Sequence, residues 1–120
     1  MKAKKLIKVK CSPLFEGQME ELKKTIKEKD SKFHKQLLMA IEREKDNLSV
    51  NPQHGIQIKK KQIPKKYITE YGITNLWKIN LPDFWRMMYT ITGNEIEIIS
   101  ILLDFMDHKK YNKLFGYKKK

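Results

Sequence analysis

Four residues in the second half of the sequence have side chains that could act together on a phosphate. Lys78 and Arg86 are cations within apolar segments, and His108 and Tyr111 follow the last apolar segment. The forked guanidinium of Arg86 can grip a phosphate and stabilise charge that builds in a phosphoryl transition state. The imidazole of His108 can accept and donate protons, and Tyr111 can stack on a base. These residue types favour chemistry on a phosphodiester.

Each of these residues also has a structural interpretation. Arg86 could form an ion pair with Glu97 or Asp104, and Tyr111 could join Phe115, four residues later, in anchoring the tail to the core. A lysine on an open strand face often only adds solubility, and a surface histidine is often inert. The residue types alone leave these alternatives open.

Several other kinds of site are excluded by missing motifs. No glycine-rich phosphate loop, nucleophile elbow or acidic metal cluster occurs, which excludes NTPases, serine hydrolases and two-metal nucleases. Cys11 is the single cysteine, so neither an intramolecular disulfide nor a cysteine-based metal site can form. We therefore expect a protein without cofactor or metal, in a reducing compartment.

The excess positive charge lies outside the segment with helical periodicity. Residues 16–48 contain eight acids and eight bases, and the rest of the chain contains 18 bases and six acids, which accounts for the net charge of +12. A clustered basic surface indicates an RNA or ribosome contact, although a solvated lysine surface is the alternative. The predicted RNA-binding residues are Lys59, Lys60, Lys61, Lys65, Lys66, Lys109 and Lys110.

Two helices are predicted in the first half. Apolar residues recur at steps of three and four over about residues 15–29 and 32–50, with Asp30 and Ser31 as capping candidates between them. A helical hairpin and a bent continuous helix both satisfy this pattern.

Four strands and a short helix complete the prediction. A strand over residues 6–9 precedes the helices, and Pro64 suits the start of a short helix that ends near Gly72. Gly93 suits the first central position of a two-residue type II′ hairpin between the last two strands. We expect one helical turn in the tail. The three C-terminal strands are predicted over residues 76–81, 85–92 and 95–104.

Alternation along the strands predicts which side chains face the helices. Lys78 and Arg86 then lie together on the opposite, helix-free face, and a three-residue loop would place Lys78 or Asn80 across from Arg86. The predicted core-facing set consists of Trp77, Ile79, Leu81, Trp85, Met87, Tyr89 and Ile91.

This order of elements predicts an α+β fold. The N-terminal strand and the helical pair would pack on one face of an antiparallel sheet that the three C-terminal strands complete. We expect a single domain over residues 1–120, with a frayed lysine tail at 118–120. Lys8 and Lys10 interrupt the apolar start, and no stretch is long and apolar enough to span a membrane, so we expect a cytoplasmic protein.

The order of motifs resembles the RelE/ParE toxin superfamily of bacterial and archaeal toxin–antitoxin pairs. The likeness covers most of the chain. It begins with the early strand that ends in CSP and continues through the helical pair that ends in NPQHG. It then includes the segments LWKINL, WRMMYTITGNEIEIISILLDF and DHKKYNKLF. It implies a compact α+β fold, a cognate antitoxin, and a sheet that cups a basic surface. RelE-like members are implied to cleave mRNA in the ribosomal A site without a metal, whereas ParE-like members poison DNA gyrase.

The resemblance also implies roles for individual residues. Arg86 matches the strand arginine that stabilises the scissile phosphate, and Lys78 matches a basic strand position. His108 and Tyr111 fall in the tail region that supplies proton-transfer and stacking groups, with Lys109 adding charge. The sequence departs from this pattern in two places, because Asn80 stands where RelE has a second lysine and the tail begins with an acid, Asp107.

Three functions remain open. The leading hypothesis is a toxin that cleaves mRNA on the ribosome, through attack of a 2′-hydroxyl on the adjacent phosphate. The two departures favour a non-enzymatic poison or an inactive relative that binds a protein target. The lysine clusters alone would suffice for a plain RNA- or ribosome-binding module.

Overall fold

The computed structural model describes residues 5–116 of the chain. These residues form an α+β fold with four helices and a five-stranded mixed sheet, which confirms the expected fold class. In chain order the elements are β1 (Leu6–Cys11), α1 (Pro13–Lys29), α2 (Lys32–Val50), β2 (Ile56–Gln57), α3 (Lys65–Tyr71), β3 (Trp77–Asn80), β4 (Arg86–Gly93), β5 (Glu97–Met106) and α4 (His108–Phe115), with 3₁₀ turns at Pro52–His54, Lys60–Gln62 and Pro82–Phe84.

Capping residues set the bounds of α1 and α2. The Ser12 hydroxyl accepts a hydrogen bond from the Phe15 amide at 3.0 Å, and Ser31 accepts one from the His34 amide at 3.3 Å. Between the helices, Asp30 adopts a left-handed conformation with φ of 45°, which ends α1. The pair is therefore two separate helices, close to the predicted bounds.

The sheet has the strand order β1-β5-β4-β3-β2. The last four strands in this order are antiparallel, as expected, but β1 pairs with β5 in parallel, which makes the sheet mixed. The two-residue strand β2 was not predicted, and it pairs with β3 at the far edge. The bounds of the three C-terminal strands lie within two residues of the prediction.

One hydrophobic core lies between the sheet and the helices α1 and α2. Met87 and Tyr89 of β4 are fully buried there, and Trp77, Trp85 and Ile91 pack around them. The predicted division of side chains between the two faces is therefore confirmed.

The opposite face of the sheet is not helix-free, and the expectation of an open face is wrong. Helices α3 and α4 cover it, and Tyr67 of α3 and Tyr111 of α4 are buried against Met88 and Leu103 of the sheet. These two sheet side chains are apolar and 0% and 1% exposed, so burying them requires a covering layer. Strand alternation identified the face correctly but carried no information about what covers it.

The hairpin between β4 and β5 turns later than predicted. The Asn94 amide donates to the Glu97 carbonyl at 2.9 Å, so Glu95 and Ile96 are the two central residues. Gly93 instead pairs with a β5 residue, at a φ of 155°, and a Cβ there would collide with the Glu97 carbonyl. The glycine is required by close backbone approach and not by the turn type that was predicted.

The tail forms a helix of two turns, α4, where one turn was expected. Residues 118–120, for which a frayed tail was expected, lie outside the described residues. Within residues 5–116, no helix has the length and apolar character needed to cross a membrane.

Candidate functional site

The candidate site is built on the paired strands β3 and β4. Their connection is the predicted three-residue loop, in which the Leu81 amide donates to the Trp85 carbonyl at 2.8 Å across the turn Pro82–Phe84. This register places Asn80 directly opposite Arg86, and Lys78 lies two pairs further along, opposite Met88. Of the two alternatives left open by the sequence, the structure therefore selects Asn80.

Arg86 is half-buried beside the end of β3 and is incompletely paired. Its Nη1 donates to the Trp85 carbonyl at 3.2 Å, and its Cζ lies 5.2 Å from the centre of the Tyr111 ring. The Nε is buried and has no hydrogen-bond partner among the described residues. The guanidinium forms no ion pair with Glu97 or Asp104, so neither structural alternative considered for Arg86 is realised.

Lys78 and Arg86 share one aromatic neighbour. The Lys78 Nζ donates to the Tyr111 hydroxyl at 3.2 Å and lies 5.2 Å from the ring centre. Tyr111 is only 2% exposed and stacks on Phe115, with ring centres 4.4 Å apart. Cation–π attraction and this hydrogen bond place both cations beside one ring. Tyr111 thus holds the two cations together and also anchors α4.

His108 is exposed at the start of α4. Asp107 caps this helix by accepting a hydrogen bond from the Lys110 amide at 2.9 Å, which explains an acid at the entry to a basic tail. The His108 Nε2 lies 3.0 Å from the Asn112 amide nitrogen, and its ring centre lies 5.8 Å from that of Phe84. The Asn112 side-chain nitrogen can only donate, so this contact is a hydrogen bond when His108 Nε2 is the acceptor.

An open cleft of about 520 Å³ lies at the end of β3 and the start of β4. Asn80, Asp83, Phe84 and Arg86 line it, and the ring of His108 adjoins it through Phe84. The structure therefore brings one of the four predicted catalytic residues, Arg86, into the cleft, and a second, His108, lies next to the cleft residue Phe84 without lining the cleft itself. The other two do not line the cleft: Tyr111 contacts Arg86 through its ring, and Lys78 is bound to Tyr111.

All seven predicted RNA-binding lysines lie in the layer formed by residues 58–71 and 107–116, which we call the basic layer. This layer contains eight bases and two acids. Six of the seven lysines are exposed, and Lys66 is half-buried. Helices α1 and α2, on the other side of the sheet, carry seven acids and eight bases, and Asp30 between them brings the segment to neutrality. The molecule thus has one neutral and one strongly basic face.

A buried carboxylate lies under the basic layer, and its role was not foreseen from the sequence. Asp104 of β5 is 2% exposed, and the Tyr67 hydroxyl donates to both of its oxygens, at 2.9 and 3.1 Å. Burial raises the pKa of Asp104, while the Tyr67 hydrogen bond and the charges of Lys66 and Lys110 oppose the rise. Burial and the same carboxylate raise the pKa of Tyr67.

Phe84 is the second residue that the sequence reasoning missed. It was treated only as part of a turn, although it borders the cleft and is 69% exposed. The available signal was a bulky aromatic residue directly after Pro82 and Asp83, at a position where turns prefer small or polar residues.

Among residues 5–116, no group of three or more histidines, cysteines and carboxylates is arranged to hold a metal ion.

A family model described as the ParE toxin of type II toxin-antitoxin systems, parDE, matches residues 9–106. This match includes both strands that build the cleft and ends just before α4. No curated protein shows significant sequence similarity to the chain.

Proposed function

The chain belongs to the ParE toxin family of type II toxin–antitoxin systems, and we propose that this toxin cleaves mRNA on the ribosome without a metal ion. A cognate antitoxin is its implied partner. The observation that carries the cleavage proposal is the buried, unpartnered Nε of Arg86 beside a cleft that His108 adjoins. A buried N–H donor without a partner is costly, and rotation of the guanidinium toward the cleft would let a phosphate satisfy it.

The proposed reaction uses the RNA's own 2′-hydroxyl. The 2′-oxygen forms a bond to the adjacent phosphorus, the bond from phosphorus to the 5′-oxygen breaks, and the products are a 2′,3′-cyclic phosphate and a 5′-hydroxyl. A base must take the 2′-hydroxyl proton and an acid must protonate the leaving 5′-oxygen. His108 supplies one of these two functions, and Arg86 stabilises the charge on the phosphorane.

Lys78 and the basic layer act at longer range. Held on Tyr111, Lys78 adds positive potential behind Arg86 without contacting the substrate directly. The lysines of the basic layer bind RNA phosphates and dock the protein on the ribosome, in the cytoplasm. In this proposal the lysines provide affinity, and Arg86 and His108 provide the chemistry.

Induced expression of Arg86→Ala tests the cleavage directly. We expect transcripts mapped on ribosomes to show cleavage by the unaltered protein and about 10²- to 10³-fold slower cleavage by the variant, the usual effect of losing one transition-state donor. Arg43→Ala is the matched control, because Arg43 lies exposed on α2 in the neutral layer. Growth arrest with intact transcripts, or full toxicity of Arg86→Ala, would contradict the proposal.

A second candidate is a non-enzymatic poison of a protein target such as DNA gyrase. Two observations favour it. The Lys78 ammonium is engaged by the Tyr111 hydroxyl, and the residue opposite Arg86 is the uncharged Asn80. In this case the purified protein would inhibit supercoiling by gyrase, and Arg86→Ala would stop growth without changing transcript ends.

A further inference from the structure

The turn between β3 and β4 has an unusual backbone. Asp83 has a φ of 55° and Phe84 has a φ of 63°, so two successive residues other than glycine are left-handed. This conformation is uncommon for residues with a Cβ and is rarest for bulky ones. A Gly or Asn at position 84 would adopt it with less strain. Folding alone therefore does not favour phenylalanine here.

Packing does not compensate for this strain. Phe84 is 69% exposed, and its one aromatic contact within residues 5–116 is the exposed ring of His108, 5.8 Å away at an angle of 54°. The next residue, Trp85, points the other way and packs against Phe33 and Phe105 in the core beneath α1 and α2. The turn thus buries one aromatic side chain and presents its neighbour to solvent. Strain held at an exposed position is characteristic of a binding site.

The surroundings of Phe84 indicate what it binds. Arg86, which would hold a phosphate, lines the same cleft, and the exposed carboxylate of Asp83 lies on the rim beside Phe84. An ionised carboxylate repels a phosphate but accepts hydrogen bonds from the amino groups of a base edge. The cleft therefore has a cationic wall for the RNA backbone and an aromatic, hydrogen-bond-accepting rim for a base.

We propose that Phe84 is the platform on which a nucleobase next to the scissile phosphate stacks. This inference rests on the proposed function, because it takes the phosphate at Arg86 to be that of RNA. Single-stranded RNA is commonly held by stacking unpaired bases on exposed aromatic rings. Phe84 is then a specificity-determining residue, and His108, beside it, faces the sugar of the same nucleotide.

Binding of an uncleavable RNA tests this inference separately from catalysis. The probe is a short single-stranded oligonucleotide with 2′-O-methyl groups, which lacks the attacking hydroxyl. We expect Phe84→Ala and Phe84→Gly to weaken its binding about 5- to 100-fold, the usual effect of losing one stacked base. Phe84→Trp should retain binding because it retains a ring. Met39→Ala is the matched control, since Met39 is also 69% exposed but lies on α2.

Two further measurements separate stacking from a structural role. Phe84→Gly should have an unchanged or higher melting temperature, because it relieves the left-handed strain while it loses the ring. Removing the base at one position of the probe should weaken binding by the unaltered protein and should erase the difference between that protein and Phe84→Ala.

The inference is overturned if Phe84→Ala binds the probe as tightly as the unaltered protein. It is also overturned if Phe84→Ala weakens binding by the same factor for the intact probe and for every probe that lacks one base. It is also overturned if the substitution weakens binding of the antitoxin alone, since Phe84 would then belong to a protein interface. Binding that depends on Phe84, in a protein that leaves transcripts intact, would instead contradict the cleavage proposal and support the stacking inference.

Discussion

The Asp104 carboxylate makes the stability of the protein depend on pH. Burial raises its pKa above the ordinary value of 3.8, so the folded protein binds a proton more tightly than the unfolded chain does. Below pH 3.8 Asp104 is protonated in both states, so its ionisation does not affect the free energy of unfolding. As pH rises from 3.8 through the raised pKa, the unfolded state ionises first, and Asp104 becomes increasingly destabilising.

Asp104→Asn should remove this dependence. An amide oxygen can still accept the hydrogen bond from Tyr67, and no charge has to be buried at neutral pH. We expect the variant to gain melting temperature relative to the unaltered protein as pH rises from 4 to 7, as measured by circular dichroism. Asp46→Asn, at an exposed position on α2, is the control. A constant difference across this range would contradict the expectation.

At the scale of single elements, the start of α1 ties the helix to the sheet. The Ser12 hydroxyl accepts from the Phe15 amide and also donates to the Leu103 carbonyl of β5 at 2.7 Å, and Ser12 is buried. Ser12→Ala would leave both partners unsatisfied. We expect a loss of about 2 to 4 kcal/mol in the free energy of unfolding, measured with urea.

Ser31→Ala is the comparison that isolates the contact with the sheet. Ser31 caps α2 in the same way but contacts only groups of its own helix, the His34 amide and ring. Its loss should cost about 1 kcal/mol. Equal costs at the two serines would show that the Ser12 hydrogen bond to β5 contributes nothing.

Local signals made most elements predictable. Apolar spacing predicted both helices, Ser31 was a correct capping candidate for α2, and alternating apolar residues separated the two faces of β3 and β4 correctly. Local signals did not predict β2, which consists of Ile56 and Gln57 alone, because two residues show no period. They also placed the β4–β5 turn at Gly93, because an isolated glycine near a strand end fits a turn and a close approach equally well.

The candidate site was only partly predictable for a related reason. Arg86 and His108 carry recognisable chemistry, so their residue types alone suggested them. The environments of Arg86 and Lys78 both depend on Tyr111. Tyr111 lies 33 residues after Lys78 in the sequence. Such pairings come from the tertiary fold and leave no local pattern. Phe84 was missed because its importance lies in its backbone conformation and exposure, which the sequence does not show.

At the scale of the whole molecule, the sheet separates a neutral layer from a basic one. Because phosphate contacts release counterions, we expect RNA binding to weaken steeply as salt concentration rises. For single-stranded RNA, the slope of the logarithm of the binding constant against the logarithm of the salt concentration should fall by about 0.7 in magnitude for each lysine contact that is removed. Lys60→Gln and Lys109→Gln in the basic layer should lower the slope. Lys24→Gln, in α1, should leave it unchanged. Equal effects in both layers would contradict a defined docking face.

The parallel pairing of β1 with β5 has a consequence for how the protein is made. The strand next to β1 in the sheet is the last strand in the sequence, and the Ser12 hydroxyl bonds a carbonyl 91 positions away. During synthesis from the N-terminus, α1 and α2 therefore emerge without the surface that buries their apolar sides. The ring that holds Lys78 and Arg86 emerges later still, in α4. Under the proposed function, the surroundings of Arg86 are assembled only after residues 108–115 have been made, so we expect a nascent chain that lacks them to be inactive.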